Sequence, residues 1–350
     1  MRWKYKALKR IVSEHPLYIR SRRGLHELSD RLRRRESLSA TLSSQSIGMI
    51  ITEASPNTIY GDYFAAKGLG DQMEKLGYQV IYIPERPVYL WHRIPENLTI
   101  LISLIHTFDP RPAKKLSNAL TVAWIRGYVP QWCEKPWFDH YDLVIATSDI
   151  ALEYAAKFTH PNKCAGILRL AADPEIFRPG PPVPKYESDL CFVGNIFDVE
   201  RQLVNHLSIP SGLTFKYYGR LTDGKSWLAR YHQGPIAHNK IPKVYNSSKL
   251  VLEDCTPMCK PWGCINSRTF EALSCGACLV SNDVPGLEQL FGSLVTIYRN
   301  RDDLSRIIKD LVSDVEKRSA TGKKAREKIL EAHTFRHRAM ELKRILANHV

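Results

Sequence analysis

The sequence predicts an α/β protein of two Rossmann-like domains, preceded by a basic N-terminal extension. The chain has 350 residues, which is more than one hydrophobic core usually organises. Short apolar segments alternate with amphipathic ones on both sides of the proline-rich run PPVPK at 181–185. This alternation is typical of parallel sheets covered by helices.

The basic extension is predicted over residues 1–46. Residues 1–35 contain twelve Lys or Arg and three Asp or Glu, so they carry +9 of the net charge of +14. The run SLSATLSSQS that follows is typical of a linker. Such a segment is expected to meet an anionic membrane surface or an anionic acceptor, with nucleic acid as the other polyanion to consider. The alternative is a solvated basic helix that packs on the body of the protein.

The first domain is predicted over residues 47–170 and opens with a βαβ unit. IGMIITEA is the first strand, FAAKGLGDQMEKLGYQ is the helix and VIYIPE is the second strand. On this helix, the side chains expected to face the core are those of Phe64, Leu69, Met73 and Leu76. Further strands at NLTILISLI, ALTVAWIRG and YDLVIATS continue the pattern.

Polar residues that follow these strands are candidates for the cleft, because ligands gather beyond the carboxyl ends of parallel strands. His106 is a candidate to contact a ligand there. The alternatives are a tight turn at Gly61 and a structural histidine at His106. The other candidates on this side of the cleft are Asn57, Gly61, Asp62 and Asp109.

The second domain is predicted over residues 171–330. DLCFVGNIFDVERQLVNHL predicts a strand that ends at Gly194 and Asn195, followed by a helix that contains Arg201. LTFKYYGR predicts another strand of this kind, which ends at Gly219 and Arg220. Glycine at a strand end lets the backbone approach a diphosphate, which an arginine could neutralise.

The stretch NSRTFEALSCGACLVSND predicts a helix that begins at Asn266 or Ser267, ends at Gly276 and is followed by a buried strand. Free N–H groups at the start of such a helix suit a phosphate. Glu271, about one turn further in, could accept hydrogen bonds from two ribose hydroxyls. Ordinary packing in an α/β domain is the alternative.

Five of the eight cysteines fall between positions 255 and 278. Their spacing does not repeat the paired CxxC pattern of a structural zinc site. We therefore expect small buried hydrophobes here, and we expect no metal and no cofactor.

Three segments resemble GT-B glycosyltransferases, in particular the family-four and CgeB-like (spore-maturation) group. RTFEALSCGACLVSND followed by PGLEQLF is similar to their donor-site segment, AADPEIFRPG to their interdomain linker, and HNKIPKVYNSSKLVLED to the segment before the donor helix. HTFRHRAMELKRIL resembles their last helix, so residues 331–350 are expected to cross back to the first domain. The resemblance covers roughly residues 47–350.

The resemblance implies transfer of a sugar from a UDP- or GDP-linked donor to a glycan, lipid-linked or protein acceptor in cell-surface glycan biosynthesis. The implied enzyme is a hexosyltransferase that retains the anomeric configuration and needs no metal. The implied fold is GT-B, in which the two domains face each other across a cleft. Arg201 and Arg220 are the candidates to stabilise the leaving diphosphate, and His106 is the candidate to contact the transferring sugar or the acceptor in catalysis. The acceptor-side candidates are Asn57, Gly61, Asp62 and Asp109. The residues implied for the donor are Gly194, Asn195, Gly219, His238, Gly263, Cys264, Ile265, Asn266, Ser267, Arg268 and Glu271.

The sequence departs from family four at one position. Members carry two glutamates eight positions apart; the second corresponds to Glu271, but Gly263 stands at the first. CgeB-like members also depart from this pattern, and backbone N–H groups near Cys264 to Ser267 would then contact the sugar. The alternatives are a nucleotide-sugar epimerase of the same fold and a degenerate homologue that only binds nucleotide.

The sequence also predicts a cytoplasmic location. No apolar run approaches the roughly 18 residues that a membrane-spanning helix needs, and MRWKYKALKR lacks the apolar core of a signal peptide. Contact with the inner membrane face is expected only at the surface, through residues 1–35. Nucleic acid is not expected as a partner.

Overall fold

The structure is a computed structural model that describes residues 46–86, 91, 94–196, 201–222 and 226–349. It contains two parallel sheets, each associated with its own helices, so the predicted α/β fold with two Rossmann-like units is confirmed. The predicted basic extension falls, except for Ser46, outside the described residues. No described helix is long and apolar enough to cross a membrane.

The first sheet has six strands in the order β2-β1-β3-β4-β5-β6, and all neighbouring pairs are parallel. Its strands are β1 (Ser46–Glu53), β2 (Gln79–Arg86), β3 (Ile100–Ser103), β4 (Leu120–Ile125), β5 (Leu143–Ala146) and β6 (Cys164–Ile167). The helices of this half are α1 (Gly61–Lys75), α2 (Pro110–Leu116), α3 (Val129–Cys133) and α4 (Asp149–Ala155). Strands β3 and β5 are buried along their whole length, as expected for a parallel sheet covered on both faces.

The second sheet has five parallel strands in the order β11-β10-β9-β7-β8. Its strands are β7 (Ser188–Val193), β8 (Phe215–Tyr218), β9 (Ser248–Glu253), β10 (Leu279–Asn282) and β11 (Val295–Tyr298). Its helices are α5 (Gln202–His206), α6 (Ile241–Asn246), α7 (Ser267–Ser274) and α8 (Leu287–Phe291). The strand order reverses between β7 and β9, and the carboxyl ends of strands at such a switch point are where ligands bind.

Three helices follow the second sheet: α9 (Arg301–Ser313), α10 (Val315–Ala332) and α11 (Phe335–Ala347). Helix α11 packs against α1 of the first half. Gly68 permits this contact, since a Cβ atom there would come within 2.4 Å of the Phe335 ring. The chain passes between the two halves near Ala172 and again near Phe335. These two segments are adjacent, since Phe335 N donates a hydrogen bond to Ala172 O at 3.1 Å.

Two sequence expectations need correction. Leu69 and Met73 of α1 are buried as expected, but Phe64 is only half-buried and faces the second domain. Its ring stacks on His238 and does not enter the core. Arg201 does not lie inside a helix; it immediately precedes α5 and has an extended backbone.

Candidate functional site

A cleft of about 260 Å³ lies between the two domains, at the carboxyl ends of their strands. The first domain lines it with the loop after β1 and the start of α1. The second domain lines it with the ends of β7 and β8 and with the start of α7. The residues predicted from the sequence that meet here are Asn57, Gly61, Gly194, Asn195, Gly219, His238, Ser267, Arg268 and Glu271.

The first turn of α7 presents backbone N–H groups to the cleft. Asn266 has the extended backbone of a capping residue, but its side chain does not cap the helix. Instead its Nδ2 donates to Oε1 of Glu253 at 2.6 Å. The N–H groups of Ser267 and Arg268 therefore remain for an anion, at the positive end of the helix dipole.

Arg268 is fixed by a two-point ion pair with Glu253, at the end of β9. Its Nε and Nη2 each lie 3.0 Å from a carboxylate oxygen. Burial alone would lower the pKa of Arg268, but the Glu253 carboxylate outweighs it and raises that pKa. A permanently positive guanidinium thus stands beside the uncapped N–H groups.

Glu271 has a buried carboxylate on the cleft wall, with only 6% of the residue exposed. The His238 ring lies beside it, with Nε2 3.5 Å from Oε1. That contact is not a hydrogen bond, since Nε2 has no hydrogen-bond partner in the described part of the chain. A carboxylate accepts hydrogen bonds and donates none, so Glu271 offers unused acceptor capacity to a ligand.

The ring of His238 is held by aromatic contacts from outside its own loop. It stacks on Phe64 of α1 with centroids 3.9 Å apart and planes at 5°. Phe177 of the interdomain linker meets it edge-on at 5.1 Å. A second cavity of about 200 Å³ adjoins this group, and it shares His238, Phe64 and Glu271 with the cleft.

The ends of β7 and β8 meet backbone to backbone. A Cβ atom on Gly219, whose φ is +143°, would lie 2.1 Å from the Gly194 carbonyl oxygen. Asn195 connects three segments: its Oδ1 accepts from Arg220 N at 3.0 Å, and its Nδ2 donates to Ile59 O at 3.4 Å. The second of these bonds crosses between the domains.

These features place the chain among known folds. Residues 200–344 match the family model described as glycosyl transferase-like. HepE of Anabaena, solved with UDP and glucose, matches with a TM-score of 0.64 and 13% identity over 87% of this chain and 100% of that chain. The chain has the GT-B glycosyltransferase fold. Sucrose-phosphate synthase of Thermosynechococcus elongatus matches it similarly, with a TM-score of 0.63 and 13% identity over 87% of this chain and 98% of that one.

A phage enzyme also shares the GT-B fold. The β-glucosyltransferase of phage T4 matches with a TM-score of 0.57 and 13% identity over 87% of this chain and 99% of that chain. No curated protein sequence matches the chain. None of these matches singles out the family-four and CgeB-like group, so that finer assignment stays a prediction.

Within this GT-B fold, the missing first glutamate has a structural reason. Gly263 has a φ of +64°, a region that residues with a Cβ atom rarely adopt. A Cβ atom there would lie 2.9 Å from the carbonyl oxygen of Pro285. A glutamate therefore does not fit at this position with the present backbone.

Replacing Gly263 by alanine is expected to lower the free energy of unfolding by about 2 kcal/mol, from backbone strain and crowding together. Gly212 is a matched control, because its φ is +84° but nothing lies within 4 Å of its Cβ position. Gly212→Ala should cost about 1 kcal/mol from strain alone. Urea denaturation of both variants checks this, and equal losses would show that the Pro285 carbonyl does not exclude the side chain.

Arg201 does not reach the cleft lining. It is 5% exposed, and its guanidinium donates to the carbonyl oxygens of Asp254 and Asn195, each at 2.6 Å. Burial lowers the pKa of Arg201, and the charge of Arg268 adds to that effect. Arg201 thus holds together the loops behind the site. Arg220 is exposed beside Gly219 and is the arginine of the two that is open to an anion.

His106 also lies away from the cleft lining. It is half-buried beyond β3 and stacks on Tyr128 at 5.9 Å. Burial, together with the nearby charge of Lys135, lowers the pKa of His106. Its imidazole is therefore held in the neutral form.

Two of the acceptor-side carboxylates have structural partners. Asp62 is buried and accepts the backbone N–H of Thr52 in β1. Asp109 caps α2 and pairs with Arg111, with Nη2 and Oδ2 2.7 Å apart. Neither lines the cleft, because each carboxylate is directed to its own domain.

Cys264 and Ile265 are buried, at 1% and 7% exposure, and do not line the cleft. Burial raises the pKa of Cys264 to about 12, so the thiol stays protonated. All eight cysteines of the chain are free. Within the described ranges, no group of three or more His, Cys, Asp or Glu side chains could hold a metal ion.

The sequence patterns assigned no role to Glu253, which ends β9, or to Asp254, which follows it. Glu253 orients the start of α7, as described above. Asp254 is fully buried, and its carboxylate accepts from Leu203 N at 3.2 Å and from Asn282 Nδ2 at 2.8 Å. Burial raises the pKa of Asp254 to about 6. Two consecutive acids at the end of a buried strand were the available signal, since charges are rarely buried without a partner.

Proposed function

We propose that the protein is a glycosyltransferase that moves a sugar from a nucleotide-sugar donor to an acceptor. The observation that carries this proposal is the pairing of a helix start without a side-chain cap with the carboxylate of Glu271, about one turn away on the same cleft. The N–H groups of α7 suit the diphosphate. Glu271 suits the ribose hydroxyls, which need acceptors.

The chemistry requires a diphosphate to leave an anomeric carbon. Donors that are fixed in advance and aimed at the developing negative charge stabilise that step. The N–H groups of Ser267 and Arg268 provide such donors. Arg268 adds its charge, because its Nη1 has no hydrogen-bond partner among the described residues. Arg220 is the proposed second cation.

The acceptor would enter from the first domain, beside Asn57 and Gly61. Nothing lies within 4 Å of the Cβ position of Gly61, so the cleft is open there. Closure of the two domains would exclude water and favour transfer over hydrolysis. The proposed enzyme transfers a hexosyl group with retention of configuration and needs no metal. Its proposed role is in cell-surface glycan synthesis. The proposed location is cytoplasmic, with membrane contact through residues 1–35.

The first experiment is a thermal-shift screen of the full chain against UDP, GDP, ADP, CMP and their common sugar conjugates, with and without EDTA. UDP-glucose is the leading probe, because HepE and a T4 β-glucosyltransferase variant were solved with it. We expect one nucleoside diphosphate to stabilise the protein irrespective of EDTA; at 100 times Kd the gain is about 2.7 kcal/mol. No shift with any nucleotide would overturn the proposal.

A product assay with the nucleotide sugar that the screen identifies, run with and without acceptors, separates the alternatives. Product that forms only after an acceptor is added supports a transferase. Interconversion of the donor sugar without an acceptor would identify a nucleotide-sugar epimerase. Stabilisation by a nucleotide with no turnover under any acceptor would identify a binding-only homologue.

A further inference from the structure

We propose that His238 is a second specificity-determining residue of the donor site, and that together with Glu271 it recognises the cis-diol of a ribonucleotide across the domain boundary. This inference rests on the proposed function. It adds a hydrogen-bond donor to a subsite that otherwise contains a carboxylate alone. It also gives the first domain, through Phe64, an indirect role in a site that lies mainly on the second domain.

The first observation is the buried Nε2 atom of His238. It has no hydrogen-bond partner among the described residues, although buried polar atoms are normally paired. It faces Oε1 of Glu271 at 3.5 Å, and both residues line the cleft and the adjoining cavity. The unpaired Nε2 of His238 and the Glu271 carboxylate thus line the same cleft.

The second observation is the chemistry of the pair. A hydroxyl group both donates and accepts hydrogen bonds, whereas a carboxylate only accepts them. Two adjacent hydroxyls can donate to Glu271 and still need a donor for an oxygen lone pair. We assign a proton to Nε2, and with that proton His238 supplies this donor.

The third observation is the way in which the ring is fixed. Phe64 stacks on it from α1 of the first domain, and Phe177 packs on its edge from the linker. Because Phe64 belongs to the other domain, the orientation of Nε2 depends on the domains being together. Phe64 is therefore a positioning residue that acts on the ribose through His238.

The test compares UDP, GDP, ADP and CDP with their 2′-deoxy and 3′-deoxy counterparts by calorimetry on the full chain. His238→Phe retains an aromatic ring for the stack and removes Nε2. Lys240→Ala is the control, because Lys240 lies in the same 3-10 turn and is exposed. Phe64→Leu removes the stacking ring, whereas Phe64→Tyr preserves it.

For the wild type we expect the ribonucleotide to bind about tenfold or more tighter than a deoxy counterpart, as the loss of a hydrogen bond to a charged group implies. In His238→Phe this ratio should fall several-fold, and Lys240→Ala should leave it unchanged. Phe64→Leu should lower the ratio and Phe64→Tyr should restore it. His238→Gln, which retains a side-chain donor, should keep part of the preference.

The outcomes are distinguishable. If no nucleotide binds to the wild type, the proposed function fails together with this inference. If the wild type binds ribonucleotides and their deoxy counterparts with equal affinity, His238 does not recognise the diol. An unchanged ratio in His238→Phe leads to the same conclusion, and in both cases the proposed function stands.

Discussion

Replacing Glu253 by alanine is expected to lower the free energy of unfolding by about 3–5 kcal/mol, because it removes one partner of a buried ion pair. Glu253 is 2% exposed and accepts three hydrogen bonds, from Asn266 and from two nitrogens of Arg268. Without it the guanidinium stays charged in a partly buried position and loses the carboxylate that balances it. Urea denaturation of the purified variant measures the loss.

A double-mutant comparison identifies the cause of that loss. Glu253→Ala combined with Arg268→Ala should unfold more easily than the wild type but less easily than Glu253→Ala alone, since no unpaired charge remains. Asp310→Ala is a surface control, because Asp310 pairs with Arg306 at 4.0 Å while both side chains are more than half exposed. It should cost under about 1 kcal/mol. A double variant as unstable as the sum of its parts would contradict the ion-pair explanation.

The start and the end of helix α7 could be predicted from local sequence alone. Asn266 and Ser267 mark its start, and Gly276 follows its end with a φ of +72°. Helix capping depends on residues within a few positions of each other, so one short stretch contains the whole signal. The same holds for the alternation of strands and helices, which depends on local periodicity.

The partners of the site residues could not be predicted, because they are set by strand order and domain contact. Glu253 meets Arg268 only because β9 lies centrally in the sheet, directly before α7. Phe64 meets His238 only because α1 faces the second domain. Phe64 was expected in the core, since an aromatic residue on an amphipathic helix is usually buried within its own domain. The sequence contains no local signal for a contact between domains.

Arg201 illustrates a different limit. A place in the helix after a strand end predicts that Arg201 lies near the cleft. The side chain is buried instead, where its guanidinium donates to two carbonyl oxygens. Position along the chain therefore did not predict where the guanidinium lies. Gly263 illustrates another limit. The sequence shows only that the first family glutamate is absent there, whereas the structure shows a backbone conformation that only glycine readily adopts.

Replacing Glu271 by glutamine is expected to weaken nucleotide binding about 10- to 150-fold, the equivalent of hydrogen bonds to a charged acceptor. The change keeps the shape of the side chain and removes its charge. Glu288→Gln, at a site on α8 that is 71% exposed, is the matched control and should bind as the wild type does. Calorimetric titration with the nucleoside diphosphate that the screen identifies provides the comparison.

Glu271→Gln should not lower the free energy of unfolding, and this second readout separates a binding role from a structural one. In the free protein Glu271 is only 6% exposed, and its carboxylate makes no hydrogen bond to the described residues. Removing its charge should therefore leave stability equal or slightly higher, as is common where a site is kept for a ligand at some cost to the fold. A variant that binds nucleotide normally, or one that is clearly destabilised, would show that Glu271 serves packing and not the ribose.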